Sequence, residues 1–204
     1  MRMLGECSGA ASWSPDGRRY LCPSWDGALV RQSIDGGPRD TVSRGSRWGY
    51  SCAWGGAGHI ACSAGNPFFR RFIPENRGNL AASSIRIIPA GGEAAIVLDT
   101  TNALNESPVW SGDGRHLYFV SDRRGQRDIW RYRIGPDGRR AGEPVRLTVG
   151  ANAMSVSVTP DERFLAWSTF VPRTSNLWSA PLREGGVIDR SSGTPITRGA
   201  QGIE

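Results

Sequence analysis

The 204-residue sequence predicts an all-β fold built from repeated four-stranded antiparallel units. Three observations carry this prediction. The chain contains 27 glycines, 13 prolines and 8 tryptophans, a composition that favours short strands joined by tight turns over helices. Short apolar stretches alternate with turns of the Ser-Pro-Asp-Gly kind, in which aspartate bonds the local backbone and glycine takes a positive φ. The same order of strands and turns recurs along the chain.

The repeat sets the architecture. The clearest unit covers residues 107–148 and the next covers 154–197; a first unit covers 11–42 and a divergent one 50–98. A four-stranded unit of about 40–50 residues has the size of one β-propeller blade. The sequence therefore predicts a β-propeller of about four blades in one region, 1–204, with blades at 9–45, 48–100, 106–149 and 153–198.

Equivalent positions of the units carry bulky apolar residues, because stacked blade sheets bury both faces of their inner strands. The first-strand position holds Trp13, Trp54, Trp110 and Val158. Two second-strand positions hold Tyr20, Ile60, Leu117 and Leu165, and Cys22, Cys62, Phe119 and Trp167. The third-strand position holds Leu29, Ile85, Ile129 and Leu177. We therefore predict that five tryptophans pack between blades, namely Trp13, Trp110, Trp130, Trp167 and Trp178.

Charge gives little indication of a partner. All 25 basic residues are arginines, and the net charge is +6. The arginines are scattered with no basic helix, so no nucleic-acid contact is expected. The apolar runs are far shorter than the roughly 18 residues of a membrane span, and the opening residues lack the apolar core of a secretory signal.

The four cysteines, Cys7, Cys22, Cys52 and Cys62, form no C-x-x-C pair, which argues against a zinc site. Buried free thiols are the main prediction. A Cys52–Cys62 bridge across one hairpin is the alternative. On this basis the cysteines do not decide the compartment.

Motifs of known catalytic chemistry are missing from the sequence. It contains no G-x-S-x-G elbow and no Walker loop, and His59 and His116 are its only histidines. We expect His116 to be a solvated turn residue. A calcium ion in the Asp122–Asp128 loop is the weaker interpretation, because that spacing belongs to the repeat itself. The sequence thus predicts no enzyme, no metal and no cofactor.

The most specific motif lies in the third unit. Residues 110–114 form a W-S-x-D-G turn, 117–120 an apolar strand, Ser121-Asp122 with Gly125 a second turn, and 128–130 the strand Asp-Ile-Trp. Over residues 9–198 the chain resembles the TolB-type, WD-like β-propeller repeat. The second and fourth units depart from it, with Gly-Gly-Ala-Gly and Thr-Pro-Asp-Glu in their first turns.

This resemblance implies a non-catalytic protein–protein interaction or scaffold module, located in the periplasm or in an extracytoplasmic domain. The alternative is the propeller portion of a larger bacterial protein, such as a Ser/Thr protein kinase, a winged-helix regulator or a peptidase. TolB-type propellers close with more blades than four, so we expect part of a longer propeller. A self-closing four-bladed ring and the pairing of two chains are the other arrangements considered.

The expected partner site is one rim of the propeller, where arginines outnumber acidic residues. Its longest loop, residues 66–79, combines phenylalanines with arginines, the composition of interface anchors. The predicted contact residues are Phe68, Phe69, Arg70, Arg71, Arg123, Arg124 and Arg173. The partner is a protein or another domain of the parent chain. In the alternative interpretation the loop folds over its own blade; a small ligand in the central channel is a weaker hypothesis.

Overall fold

The computed structural model of the protein describes Cys7 and residues 11–26, 28–44, 51–65, 82–89, 94–99, 101–171, 174–182 and 186–197. Strands account for 53% of the structure and helix for 1%. The strands form four antiparallel four-stranded sheets. The predicted all-β propeller is therefore confirmed, and these four blades form an incomplete ring.

Each blade is a sheet of short strands. Blade 1 contains β1 (Ser12–Trp13), β2 (Arg19–Pro23), β3 (Leu29–Ser33) and β4 (Asp40–Ser43). Blade 2 contains β5 (Ser51–Trp54), β6 (Ile60–Gly65), β7 (Ser83–Ile88) and β8 (Ile96–Val97). Blade 3 contains β9 (Asn105–Trp110), β10 (His116–Ser121), β11 (Asp128–Arg133) and β12 (Val145–Arg146).

Blade 4 is built from β14 (Ala153–Val158), β15 (Phe164–Val171), β16 (Thr174–Pro181) and β18 (Thr194–Pro195). A parallel pair, β13 (Thr148–Val149) and β17 (Ile188–Asp189), joins the segments that follow β12 and β16. A 3₁₀ turn at Arg190–Ser192 precedes β18. No helix in the described ranges is long and apolar enough to cross a membrane.

The turn between the first two strands of a blade follows from its sequence. In blade 3 the Ser111 hydroxyl donates to Asp113 Oδ1 at 2.6 Å, and the Arg115 amide donates to the same oxygen at 2.9 Å. Gly114 completes the turn at φ 72°, a conformation that glycine adopts without steric cost. This local network reverses the chain and sets β10 beside β9.

The blades pack in chain order through alternate residues of each strand. In β10, Leu117 and Phe119 belong to the core shared with blade 2. The residues between and after them, Tyr118 and Val120, belong to the core shared with blade 4. Such alternation is the period-two geometry of a strand buried on both faces. It assigns each equivalent position of the repeat to one direction around the propeller.

The tryptophans test the predicted packing. Trp110 and Trp130 are 7% and 6% exposed, and the Trp110 indole donates to the Ala53 carbonyl of blade 2 at 3.1 Å. Trp167 is fully buried, whereas its cross-strand neighbour Trp178 is half-buried. These positions confirm the burial of Trp110, Trp130 and Trp167.

The prediction for Trp13 is wrong, because this side chain is 57% exposed. Its equivalents Trp54 and Trp110 pack against the preceding blade. Trp13 belongs to blade 1, which has no preceding blade among the described residues. The same residue type therefore serves two environments according to the blade that carries it.

The cysteines also differ from the main prediction. Cys7 is bonded to Cys22, and Cys52 is bonded to Cys62, so the described cysteines are not free thiols. Cys52 and Cys62 lie directly opposite each other on β5 and β6. The alternative prediction, a Cys52–Cys62 bridge across this hairpin, is thus confirmed. The Cys7–Cys22 bond joins residues 15 positions apart and was not anticipated.

The departure of blade 2 from the turn motif has a packing reason. A Cβ atom placed on Gly55 would lie 2.7 Å from the Trp110 ring. A Cβ on Gly112, in the equivalent turn of blade 3, would lie 2.5 Å from the Pro160 carbonyl oxygen of blade 4. Glycine is therefore required at Gly55 by the Trp110 ring of β9, and at Gly112 by the close approach of the first turn of blade 4.

Candidate functional site

Two of the seven predicted contact residues, Arg123 and Arg124, lie in the described part of the chain. Both belong to the turn between β10 and β11. The other predicted residues, Phe68, Phe69, Arg70, Arg71 and Arg173, lie outside the described residues. Of the turns that join second to third strands on this rim, the structure describes those of blades 1 and 3, apart from residue 27.

Arg123 is an internal residue rather than a free cation. Its side chain is 11% exposed and forms an ion pair with Asp99 and a 2.8 Å hydrogen bond to Asn105 Oδ1. The guanidinium also lies 4.9 Å from the ring centre of Trp130. Because its charge is paired with Asp99 and its Nε and Nη2 donate within the fold, we do not propose Arg123 as a partner contact.

Asp99 holds the centre of this network. Burial alone raises the pKa of the Asp99 carboxyl. Hydrogen bonds from Thr101 and from the Tyr132 hydroxyl, together with the charge of Arg123, more than offset that effect. The pKa of Asp99 therefore lies below its usual value, and the carboxylate stays charged at neutral pH.

Two further buried carboxylates pair with arginine around blade 3. Glu106, on β9, pairs with Arg127. Asp128, fully buried on β11, pairs with Arg146 and accepts a 3.0 Å hydrogen bond from the Ala151 amide. Arg127 and Glu106 both belong to the rim at which arginines outnumber acidic residues, so their pairing uses one charge of each sign and leaves that excess unchanged.

The exposed part of this rim carries an aromatic residue that the sequence analysis missed. Trp25, in the turn between β2 and β3, is 76% exposed. Asp26 fixes this turn by accepting hydrogen bonds from the Ser24 hydroxyl and, at 3.1 Å, from the Ala28 amide. Arg124 is exposed in the equivalent turn of blade 3. Trp25 and Arg124 are therefore the described rim residues best placed to meet a partner.

The first strands of blades 1, 2 and 3 line a cavity of about 540 Å³. Its wall contains Ser12, Ala53, Ser107 and Val109, and the turn residues Gly112 and Pro160 close one side. No acidic, basic or histidine side chain contributes to this lining. The described wall is thus suited to neutral groups and offers no acid–base pair.

The opposite rim brings together groups that the sequence analysis kept apart. His116 contacts Glu162 of blade 4, with 3.0 Å between His116 Nδ1 and Glu162 Oε2. The buried Tyr118 hydroxyl donates to the same carboxylate oxygen. Burial first, and then this carboxylate, raise the pKa of Tyr118. The expectation of a solvated His116 is therefore wrong, since its side chain is 26% exposed and bridges two blades.

Comparison with known proteins identifies the fold. No protein-family model and no curated protein matches the sequence. The structure of TolB from Acinetobacter baumannii matches 92% of this chain and 43% of its own, with 16% identity and a TM-score of 0.65. An oligogalacturonate lyase in complex with manganese matches 97% of this chain and 55% of its own, with 13% identity and a TM-score of 0.65.

A puromycin-hydrolysing peptidase from Mycobacterium tuberculosis is also similar, over 83% of this chain and 29% of its own, with 18% identity and a TM-score of 0.59. The chain thus spans about half the length, or less, of these proteins. The lyase and the peptidase correct the prediction that the chain is not an enzyme, because the same blades occur in enzymes. A missing catalytic motif does not exclude catalysis for this fold, and by its structure the chain has a TolB-like β-propeller fold.

Proposed function

We propose that this chain is a protein-interaction module that binds its partner through the rim carrying Trp25 and Arg124. The exposed indole of Trp25 is the observation that carries the proposal. Tryptophan and arginine are the residues most enriched among the energetic anchors of protein interfaces. The turn that holds Trp25 is fixed by its own hydrogen bonds, so little conformational entropy is lost on binding.

The 66–79 loop belongs to the same proposed surface. We propose Phe68, Phe69, Arg70, Arg71 and Arg173 as contacts beside Arg124, because the repeat predicts that their loops join second to third strands, as the turn of Arg124 does. Arginine presents a planar pair of donors to carboxylates, so an acidic protein surface or an acidic domain of the same parent chain is the proposed partner.

We further propose an extracytoplasmic location. Two disulfide bonds form between the four cysteines of the chain. Disulfides persist in oxidising compartments such as the bacterial periplasm and are rare in the cytosol. The resemblance to TolB-type propellers implies the same location.

A photo-crosslinking experiment tests the rim. Trp25 is replaced by p-benzoylphenylalanine, and the protein is irradiated in the cells that make it. The matched control carries the same group at Phe164, which is 48% exposed on blade 4. We expect one adduct, identified by mass spectrometry, from position 25 and not from position 164. Equal adducts at both positions, or none at 25, would contradict the proposal.

The identified partner then allows a quantitative test by interferometry. Trp25→Ala should weaken binding about 30-fold or more, as expected for an anchor residue worth about 2 kcal/mol. Arg124→Ala should slow association, and increasingly so below the salt concentration at which the screening length is about 8–10 Å. Arg163→Ala, which removes an exposed arginine from the opposite rim, is the control.

A second candidate is the propeller portion of a larger protein. The specific observation is that the peptidase contains this arrangement of blades within 29% of its length. The sequence of the reading frame on both sides of these residues tests it: an in-frame peptidase, kinase or DNA-binding domain would establish it.

A further inference from the structure

Two turns on the rim opposite Trp25 bring three metal-ligating side chains together. Asp113 comes from the turn between β9 and β10, His116 is the first residue of β10, and Glu162 comes from the turn between β14 and β15. One ligand atom from each of the three lies within 4.8 Å of the other two. Asp113 is exposed, whereas His116 and Glu162 are half-buried. The set therefore spans blades 3 and 4 and has one open side.

The spacing of the two central groups is that of ligands on one ion. His116 Nδ1 lies 3.0 Å from Glu162 Oε2 and 3.3 Å from Glu162 Oε1. Two ligands bound at about 2.1 Å, and separated by about 90–109° at the ion, lie about 3.0–3.4 Å apart. The imidazole nitrogen and the carboxylate oxygens therefore already have the separation that two ligands of one ion require.

A group outside the set orients Glu162. The Tyr118 hydroxyl, from a residue that is 0% exposed, donates to Glu162 Oε2. Buried donors that bond a ligating carboxylate fix its orientation and raise affinity for the metal. This bond leaves Oε1 and one lone pair of Oε2 directed to other partners.

One carboxylate oxygen of Asp113, Oδ2, is available as a metal ligand. Its Oδ1 accepts bonds from Ser111 and from the Arg115 amide. Its Oδ2 lies 3.8 Å from Arg115 Nε, in a pair whose arginine side chain is 78% exposed. That long contact is weak in water, so Arg115 can yield this oxygen to a cation.

We propose that Asp113, His116 and Glu162 bind one divalent first-row transition-metal ion, for which Zn²⁺ is the reference, and so link blade 3 to blade 4. One imidazole nitrogen with two carboxylate oxygens favours such ions over Ca²⁺ and Mg²⁺, which prefer oxygen ligands alone. Three protein ligands leave the remaining position to water.

The equivalent turns of blades 1 and 4 provide internal controls. Asp16 and Asp161 accept the same pair of hydrogen bonds as Asp113. Arg19 and Phe164 occupy the position of His116 there, as shown by the equivalent turn-closing backbone bonds. In the described turns, the imidazole and a carboxylate from the next blade meet only at the junction of blades 3 and 4.

Calorimetric titration of the EDTA-treated and desalted protein with ZnCl₂ tests the site. We expect one equivalent to bind, and Tm to rise by roughly 5–10 °C at about 100 times Kd. His116→Gln and Glu162→Gln should each weaken binding at least about 10-fold, while Asp16→Asn leaves it unchanged. A wild-type protein that binds no Zn²⁺, or unchanged binding in both variants, would overturn the proposal.

A second measurement uses the wild-type protein alone and so does not depend on the folding of a variant. Diethylpyrocarbonate modifies accessible imidazoles, and mass spectrometry locates the adduct. We expect Zn²⁺ to lower the modification of His116 about 5-fold or more, because the ion occupies Nδ1 and closes the site. His59, buried at 7% exposure, is the internal reference whose modification should not respond. Equal modification of His116 with and without Zn²⁺ would also count against the site.

Discussion

Blades 1 and 2 fill one core position with sulfur, whereas blades 3 and 4 fill it with an aromatic ring. Cys22 and Cys62 stand on the second strand where Phe119 and Trp167 stand in the later blades. Both cysteines are disulfide-bonded, and both aromatic residues are fully buried. A ring supplies a large apolar area, while a cystine supplies less area but restricts the unfolded chain. The same blade can thus be stabilised in two different ways.

Buried ion pairs also distinguish blade 3 from blades 1 and 2. The three buried carboxylate–arginine pairs in the described part of the chain involve Asp99, Glu106 and Asp128, and all lie in or beside blade 3. The described arginine–aspartate pair of blade 1, Arg31 with Asp40, is on the surface. Blade 3 therefore depends on noncovalent contacts that exclude water, and blades 1 and 2 depend on covalent links.

The largest single effect is expected from an aromatic residue of blade 3. Trp110→Ala should lower the free energy of unfolding by about 3–5 kcal/mol, because it leaves a cavity against blade 2 and removes the hydrogen bond from the indole to the Ala53 carbonyl. Urea unfolding measures the change. Trp25→Ala, at a 76% exposed position, should stay within about 0.5 kcal/mol. A loss below about 0.5 kcal/mol for Trp110→Ala would show that blades 2 and 3 are not packed as described.

The buried ion pair of β11 comes next. Asp128→Ala should cost about 3 kcal/mol, because it leaves the Arg146 charge and the Ala151 amide without their partner. The matched control is Asp40→Ala, which breaks the surface pair of blade 1 and should cost less than about 1 kcal/mol. Equal losses for the two variants would remove the contrast between the two halves of the molecule.

The disulfide of blade 1 is expected to contribute about the same amount or slightly less. It closes a loop of 15 residues, for which the chain-entropy estimate is about 3 kcal/mol. The double variant Cys7→Ala/Cys22→Ala should show that loss in urea unfolding, and dithiothreitol should then lower its stability further only through Cys52–Cys62. If reduction leaves wild-type stability unchanged, the covalent contribution assigned to blades 1 and 2 is wrong.

The fold could be predicted from the sequence because each repeated position faces the same neighbouring blade, the preceding or the following one, in every unit. Trp54 and Trp110 face the preceding blade, while Ile85 and Ile129 face the following one, as their equivalent positions require. Turn chemistry of the Ser111–Asp113 kind is local, so it can be predicted from adjacent residues. Such periodic and local signals survive even where the overall identity to known structures is 13–18%.

Pairings between blades could not be predicted in the same way. The partners Arg123 and Asp99 are 24 residues apart, and His116 and Glu162 are 46 apart. No period of the repeat marks such contacts, since they depend on how one turn lies against the next. The predicted contact residue Arg123 is therefore one whose side chain is 11% exposed and paired with Asp99. Trp25 was overlooked because a single tryptophan in a polar turn gives no periodic signal.

The smallest effect concerns the first turn of blade 4, where glutamate replaces the glycine of blades 1 and 3. Glu162 adopts φ 55°, a conformation that costs a residue with a side chain about 1 kcal/mol or more relative to glycine. Its carboxylate, however, accepts the Tyr118 hydroxyl and contacts His116, and losing those bonds costs about 1.5–3 kcal/mol because the acceptor is charged. We therefore expect Glu162→Gly, measured by urea unfolding in EDTA, to be less stable by about 1 kcal/mol.

Glu162→Gln keeps the backbone and an acceptor oxygen, so the difference between the two variants separates the strain of the turn from the contact between blades. A Glu162→Gly protein more stable than wild type would show that the strain exceeds the contact, and that blade 4 is held to blade 3 by its apolar core alone.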